Sequence, residues 1–146
     1  LIKGFKIFVL LLVYFQTMLL RSVVLFSTFT LCFGDLFDSI VEKDEQVKRV
    51  LAEPQGTDSE LFESMRFFTE SIFRLIKELR VGKKTAFGVS KKLYDRGYPA
   101  LLSQLFYIEK LKAYFNWVES DIRYFYSLYS DVKKRWTTFE TLALQL

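Results

Sequence analysis

Histidine is absent from the 146 residues, and cysteine occurs once, as Cys32. Without them there is no internal disulfide, no zinc cluster, no imidazole base and no Ser-His or Cys-His pair. Inside an apolar stretch Cys32 reads as a small buried side chain, not as a reactive thiol. Proline occurs only at Pro54 and Pro99, and neither glycine nor proline follows Pro99. Charge is scarce at the start of the chain: from Ile7 to Gly34 the one charged residue is Arg21. The aromatic share is high by contrast, at 18%, with 16 Phe. Together with an apolar fraction of 51% this excludes a disordered chain. The length suits one modest domain and is too short for two domains beside a membrane anchor.

The net charge of +4 invites a nucleic-acid partner until it is divided along the chain. Residues 1–34 hold Lys3, Lys6 and Arg21 and no acid, which leaves a remainder of net +1. A nearly neutral remainder excludes a phosphate-tracking surface, so no nucleic acid is expected. Within it, residues 35–70 carry 4 basic and 10 acidic groups, whereas residues 71–99 carry 8 and 2. These stretches are suited to attract each other or two different partners.

The apolar run of residues 1–34 reads as a membrane anchor. About 20 residues of helix cross the hydrocarbon core, so the run from Ile7 to Gly34 allows one crossing and not two. A secretory signal peptide fits only in part, because no small-x-small cleavage site follows, and the segment is expected to be retained. Arg21 has two readings. With a crossing over residues 1–20 it sits at the boundary and extends its guanidinium to the headgroups. With a crossing over residues 12–33 it lies inside and needs an acidic partner from another protein, as in an ion pathway. A core helix of a soluble assembly is a third way to cover the run.

Beyond the anchor the pattern is helical throughout. Leu36, Phe37, Ile40, Val41, Val47, Val50 and Leu51 recur at helical spacing and predict an amphipathic helix from Asp35 to Glu53, ended by Pro54 and Gly56. "TDSE", residues 57–60, has the spacing of a capping box and opens a second helix that Gly82 stops. "VGKKTAFG", residues 81–88, lacks the first glycine of a phosphate loop, since Lys77 stands there, and reads as a connector into a short amphipathic stretch ending at "DRGYP". Pro99 suits a first helical turn, and the absence of breakers after it predicts one 47-residue rod about 70 Å long.

From Ile108 onward apolar residues alternate at spacings of three and four through Phe115, Ile122, Phe125, Tyr129, Trp136 and Phe139 to Leu146, a heptad seam of more than five repeats. Left in water, these side chains would each forgo about 1.5–3 kcal/mol. Such a seam requires a facing surface, supplied by a partner or by the chain's own second and third helices. Partner contacts are therefore expected at Phe115, Ile122, Phe125, Tyr129, Trp136 and Phe139, with Arg21 as a further candidate. No haem ligand set or basic groove accompanies the aromatics, so no cofactor is expected. The carboxylate pairs Asp35/Asp38 and Glu119/Asp121 read as solvated charges, with no catalytic or metal site.

Residues 18–51, "MLLRSVVLFSTFTLCFGDLFDSIVEKDEQVKRVL", place an apolar helix directly before a charged amphipathic one. That pattern resembles the peripheral-stalk b subunit of F-type ATP synthases. The resemblance implies a helix that anchors a stalk beside the rotor ring and holds the catalytic head still. Unlike that family, this chain is interrupted at Pro54, Gly82 and Pro99 and is rich in aromatics. The broader class of accessory subunits of mitochondrial inner-membrane complexes, ATP synthase or respiratory chain, resembles it in having one anchor followed by helices spread over a neighbour. The abundance of Phe beside 7 Ile and a single Asn fits U-rich organellar coding. The expected fold is all-α: an N-terminal transmembrane helix, then amphipathic helices and a long heptad-patterned helix over residues 35–146. The expected role is a structural, non-enzymatic subunit whose partners are other subunits and the lipid bilayer.

Overall fold

A computed structural model describes residues 36–146, and every regular element among the described residues is helical. The expected anchor of residues 1–34, with Arg21, lies outside them. The chain divides into two units, Leu1–Asp35 and Leu36–Leu146, and the second is the one described below. Helix α1 covers residues 36–52. Five more follow: α2 (Asp58–Arg80), α3 (Lys84–Arg96), α4 (Ala100–Ser103), α5 (Ile108–Phe115) and α6 (Glu119–Ala143). No helix among the described residues is long and apolar enough to cross a membrane.

Local chemistry sets most of the boundaries. Gly56 turns the chain after Pro54 at φ 71°, a conformation that also brings the Glu60 carboxylate to 2.5 Å from where a Cβ would stand. Any side chain there would meet both left-handed strain and that oxygen. Thr57 then caps α2: its hydroxyl accepts from the Glu60 N–H at 3.3 Å, and Glu60 Oε2 accepts from the Thr57 N–H at 3.0 Å. Two amides that the helix cannot satisfy are thereby paired. The capping box, the stop at Gly82 and the short helix before "DRGYP" all stand where the sequence places them.

The core forms around α2 and α6. Phe62 meets Tyr124 near the start of both helices, and beyond the first turns Phe68 meets Trp136 and the Arg135 guanidinium lies over the Phe73 ring. Leu79 and Leu142 line one cavity at the far end. The two helices therefore run in the same direction. A parallel pair needs a crossover, which α3 provides by returning along α2 before α4 and α5 carry the chain to the start of α6. Helix α1 is tied to α2 by a 2.9 Å bond from Ser64 Oγ–H to Gln46 Oε1. Leu61, Met65, Ile72, Leu75, Phe125, Phe139 and Val132 form the buried centre.

The single rod expected from Ala100 onward does not form. The chain leaves helix at Gln104, in extended conformation, and turns again at Asn116, which is left-handed at φ 53° and ψ 40°. The physical reason is burial. A 47-residue helix presents far more apolar stripe than the preceding helices can cover, whereas the two breaks fold Leu101, Leu111 and Trp117 inward, each 4% exposed or less. Tertiary packing overrides helix propensity here. The seam survives in α6, where Phe125, Val132, Trp136, Phe139 and Ala143 are buried. The facing surface that this seam requires is supplied by the chain's own α2.

The opposite charges of the two middle stretches do meet. Arg96, near the end of α3, bonds Asp44 of α1 at 2.6 Å through Nη1 and Glu45 through Nη2. Asp44 is 5% exposed, and its second oxygen accepts from the Ala100 N–H at 2.8 Å, capping α4. One carboxylate thus fastens α1 to the α3–α4 corner. On the exposed side of that corner the Glu140 carboxylate beside Tyr98 holds that phenol above its ordinary range.

Candidate interaction surface

The expected partner-contact residues separate into two groups. Phe125, Trp136 and Phe139 are core residues, no more than 3% exposed, and cannot touch another protein. That is a correction, and its cause is cover from within the chain: Trp136 packs on Phe68 of α2 and on Phe139, and Phe125 is enclosed by Phe106 and Trp117. Phe115, Ile122 and Tyr129 are half-buried and lie at the margin of this core. Arg21 lies outside the described residues.

The end where α2 and α6 begin carries a continuous stack of rings. Tyr114 meets Phe115 edge-on at 4.9 Å, Phe115 stacks on Trp117 at 5.4 Å, Trp117 stacks on Phe62 at 5.4 Å, and Phe62 meets Tyr124 edge-on at 5.0 Å. Offset-stacked and edge-to-face pairs of this kind contribute about 0.5–1.5 kcal/mol each beyond burial. The Trp117 indole N–H donates to Asp58 Oδ2 at 3.2 Å, which fixes the middle ring to the first turn of α2. Behind the stack, Phe106 meets Phe125 and Tyr129 edge-on.

Asn116 makes this arrangement possible. Its left-handed backbone ends α5, and the Trp117 N–H bonds the Lys112 carbonyl at 3.0 Å, closing a Schellman-type turn. Asp121 then accepts from the Val118 N–H at 3.0 Å and opens α6. The turn points Trp117 into the stack and leaves Val118 in solvent. Glycine at position 116 is expected to preserve stability, whereas Asn116→Ala should lose about 1 kcal/mol, since a Cβ without a polar side chain disfavours the left-handed region by about 1–2 kcal/mol. Denaturant midpoints of the two variants check this; equal midpoints would reject the turn.

The outer edges of this end stay exposed. Tyr107 is 74% exposed and Tyr114 50%, and Leu105, Val118, Tyr124 and Tyr126 stand out beside them. Tyr107, Tyr114, Tyr124 and Tyr126 all flank the seam in the sequence and widen its aromatic stripe. Sequence periodicity placed them beside a continuous stripe, because it could not show the two helix breaks that gather them at one end. No group of three or more potential metal ligands occurs among the described residues. The chain matches no family model, and no protein of curated function and no solved structure is significantly similar to it.

Proposed function

We infer that this chain is a non-catalytic structural subunit of a membrane energy-transducing complex, held in the bilayer by residues 1–34 and bracing its neighbours with the helical unit that follows. The observation that carries this reading is the ring stack at the α2/α6 end. Rigid aromatics are held in place from behind by Phe125 and Asp58, with their outer edges in water. Pre-ordered tyrosines give large contact area at small entropic cost, the composition favoured in the centre of protein interfaces. The neighbours proposed are subunits of the ATP synthase peripheral stalk or membrane region, or of a respiratory-chain complex. Of these, an accessory role suits the described unit better than a stalk rod. Its longest helix has 25 residues and reaches about 38 Å.

The test uses Tyr114→Glu combined with Tyr124→Glu, both at exposed positions. After extraction in mild detergent, the doubly substituted chain should migrate as a small particle, with at least a tenfold loss of co-purifying subunits, yet remain in the membrane fraction before extraction. Mass spectrometry of what travels with the unmodified chain identifies the complex. Full retention of the same subunits by the variant would overturn the reading.

A further inference from the structure

At the opposite end of the unit, where α2 and α6 finish, two cavities open along one stripe of α6. Asp131, Lys134, Thr138 and Leu142 succeed one another at spacings of three and four, so they share a face. The first cavity, about 260 Å³, is bounded by Phe73, Arg80, Lys134, Arg135 and Thr138, with Asp131 as the only acid. The second, about 540 Å³, is lined by Leu79, Phe87, Leu142 and Leu146, with Lys83 and Lys84 also at its wall. A polar, cationic compartment and a more apolar one thus succeed each other along the same face of α6.

The cationic compartment is incompletely satisfied by the protein. Arg135 lies over the Phe73 ring at 4.4 Å, which fixes the plane of its guanidinium. Its Nη2 reaches Asp131 at 3.6 Å, but its Nε–H is buried and has no partner. A buried donor of this kind costs about 1–3 kcal/mol unless an acceptor reaches it. Arg80 and Lys134 form no ion pair with other described residues. Three cations against one carboxylate leave this compartment net positive by two. A planar guanidinium with two further cations is a phosphate-binding arrangement. The apolar cavity is within the size range of small-molecule sites, about 300–1,000 Å³, and its walls suit a hydrocarbon chain.

We propose that the α2–α6 groove binds one anionic phospholipid, its phosphate held by Arg80, Lys134 and Arg135 and an acyl chain lodged between Leu79, Phe87, Leu142 and Leu146. The site does not depend on the aromatic end or on the bracing role. Loss of either leaves the other standing.

The experiment is native mass spectrometry of the full chain released from nonionic detergent. Phosphatidic acid, phosphatidylcholine and diacylglycerol of matched acyl length are offered at equal concentration. Phosphatidic acid should form a 1:1 adduct at least tenfold more abundant than either other lipid. Arg80→Gln with Lys134→Gln, both exposed, should remove that preference and leave the diacylglycerol signal as it was. Leu142→Lys should lower the phosphatidic acid adduct at least fivefold although it adds a positive charge. Lipid adhering elsewhere on the chain is insensitive to these changes, and the helical circular dichroism of each variant confirms folding. Equal adducts for the three lipids, or a preference that survives Arg80→Gln/Lys134→Gln, would overturn the site. So would stronger binding by Leu142→Lys, which would mean attraction by charge alone. Displacement of the lipid by an equal concentration of inorganic phosphate would reduce it to an ion site and equally reject the proposal.

Discussion

Phe125→Ala is expected to lower the unfolding free energy by about 3–5 kcal/mol, the range for deleting a buried phenyl ring whose surroundings relax only in part. The ring is 0% exposed and held by Phe106 at 5.5 Å and Trp117 at 5.4 Å. Its removal empties the meeting point of α6, the residue 104–107 segment and the ring stack. Since small domains have only about 5–15 kcal/mol in all, the loss is a large part of the total. The neighbouring substitution supplies the contrast. Tyr126 is 46% exposed, and Tyr126→Ala should change stability by about 0.5 kcal/mol or less. Denaturant titrations of the full chain in detergent, followed by near-ultraviolet circular dichroism, measure both. Similar midpoints for the two variants would show that Phe125 is not enclosed.

The second large effect is expected at Asp44. Replacing it with Ala removes the partner of Arg96 and the acceptor for the Ala100 N–H in one step. Breaking a buried ion pair costs about 3–5 kcal/mol. Arg96 retains Glu45 and some contact with water, so about 2–4 kcal/mol is expected here. Asp44→Asn keeps an oxygen for the Ala100 N–H and loses only the charge, and should fall between Ala and the native residue. The same titrations rank the three. Should Asn and Ala prove equally damaging, the amide cap contributes nothing; should both match the native residue, the fastening of α1 is elsewhere.

These two positions also mark what the sequence revealed and what it concealed. Phe125 was legible as a seam residue because spacings of three and four report a helix face, and that face is buried in α6. What covers the face was not legible: periodicity records that a stripe needs cover and does not say whether a partner or the chain's own helices provide it. The breaks at Gln104 and Asn116 gave little warning, because neither glycine nor proline stands there. The only local sign was the one asparagine in the chain, a residue that tolerates left-handed backbone. Asp44 was hidden in a different way. It lies four residues after Ile40 and three before Val47, on the buried stripe of α1, and an acid at such a position signals a partner from a distant part of the sequence. The local patterns around Thr57 and Gly82 were legible because capping and termination involve only neighbouring residues.

The same-direction pairing of α2 with α6 has a consequence for biosynthesis. Roughly forty residues separate the end of one helix from the start of the other, so the apolar face of α2 emerges from the ribosome well before its cover has been translated. Docking must wait for a closure over long sequence distance, the kind of event that slows folding relative to bundles joined by short hairpins. During that interval the nascent chain presents a greasy strip that a chaperone or a neighbouring nascent polypeptide is able to seize.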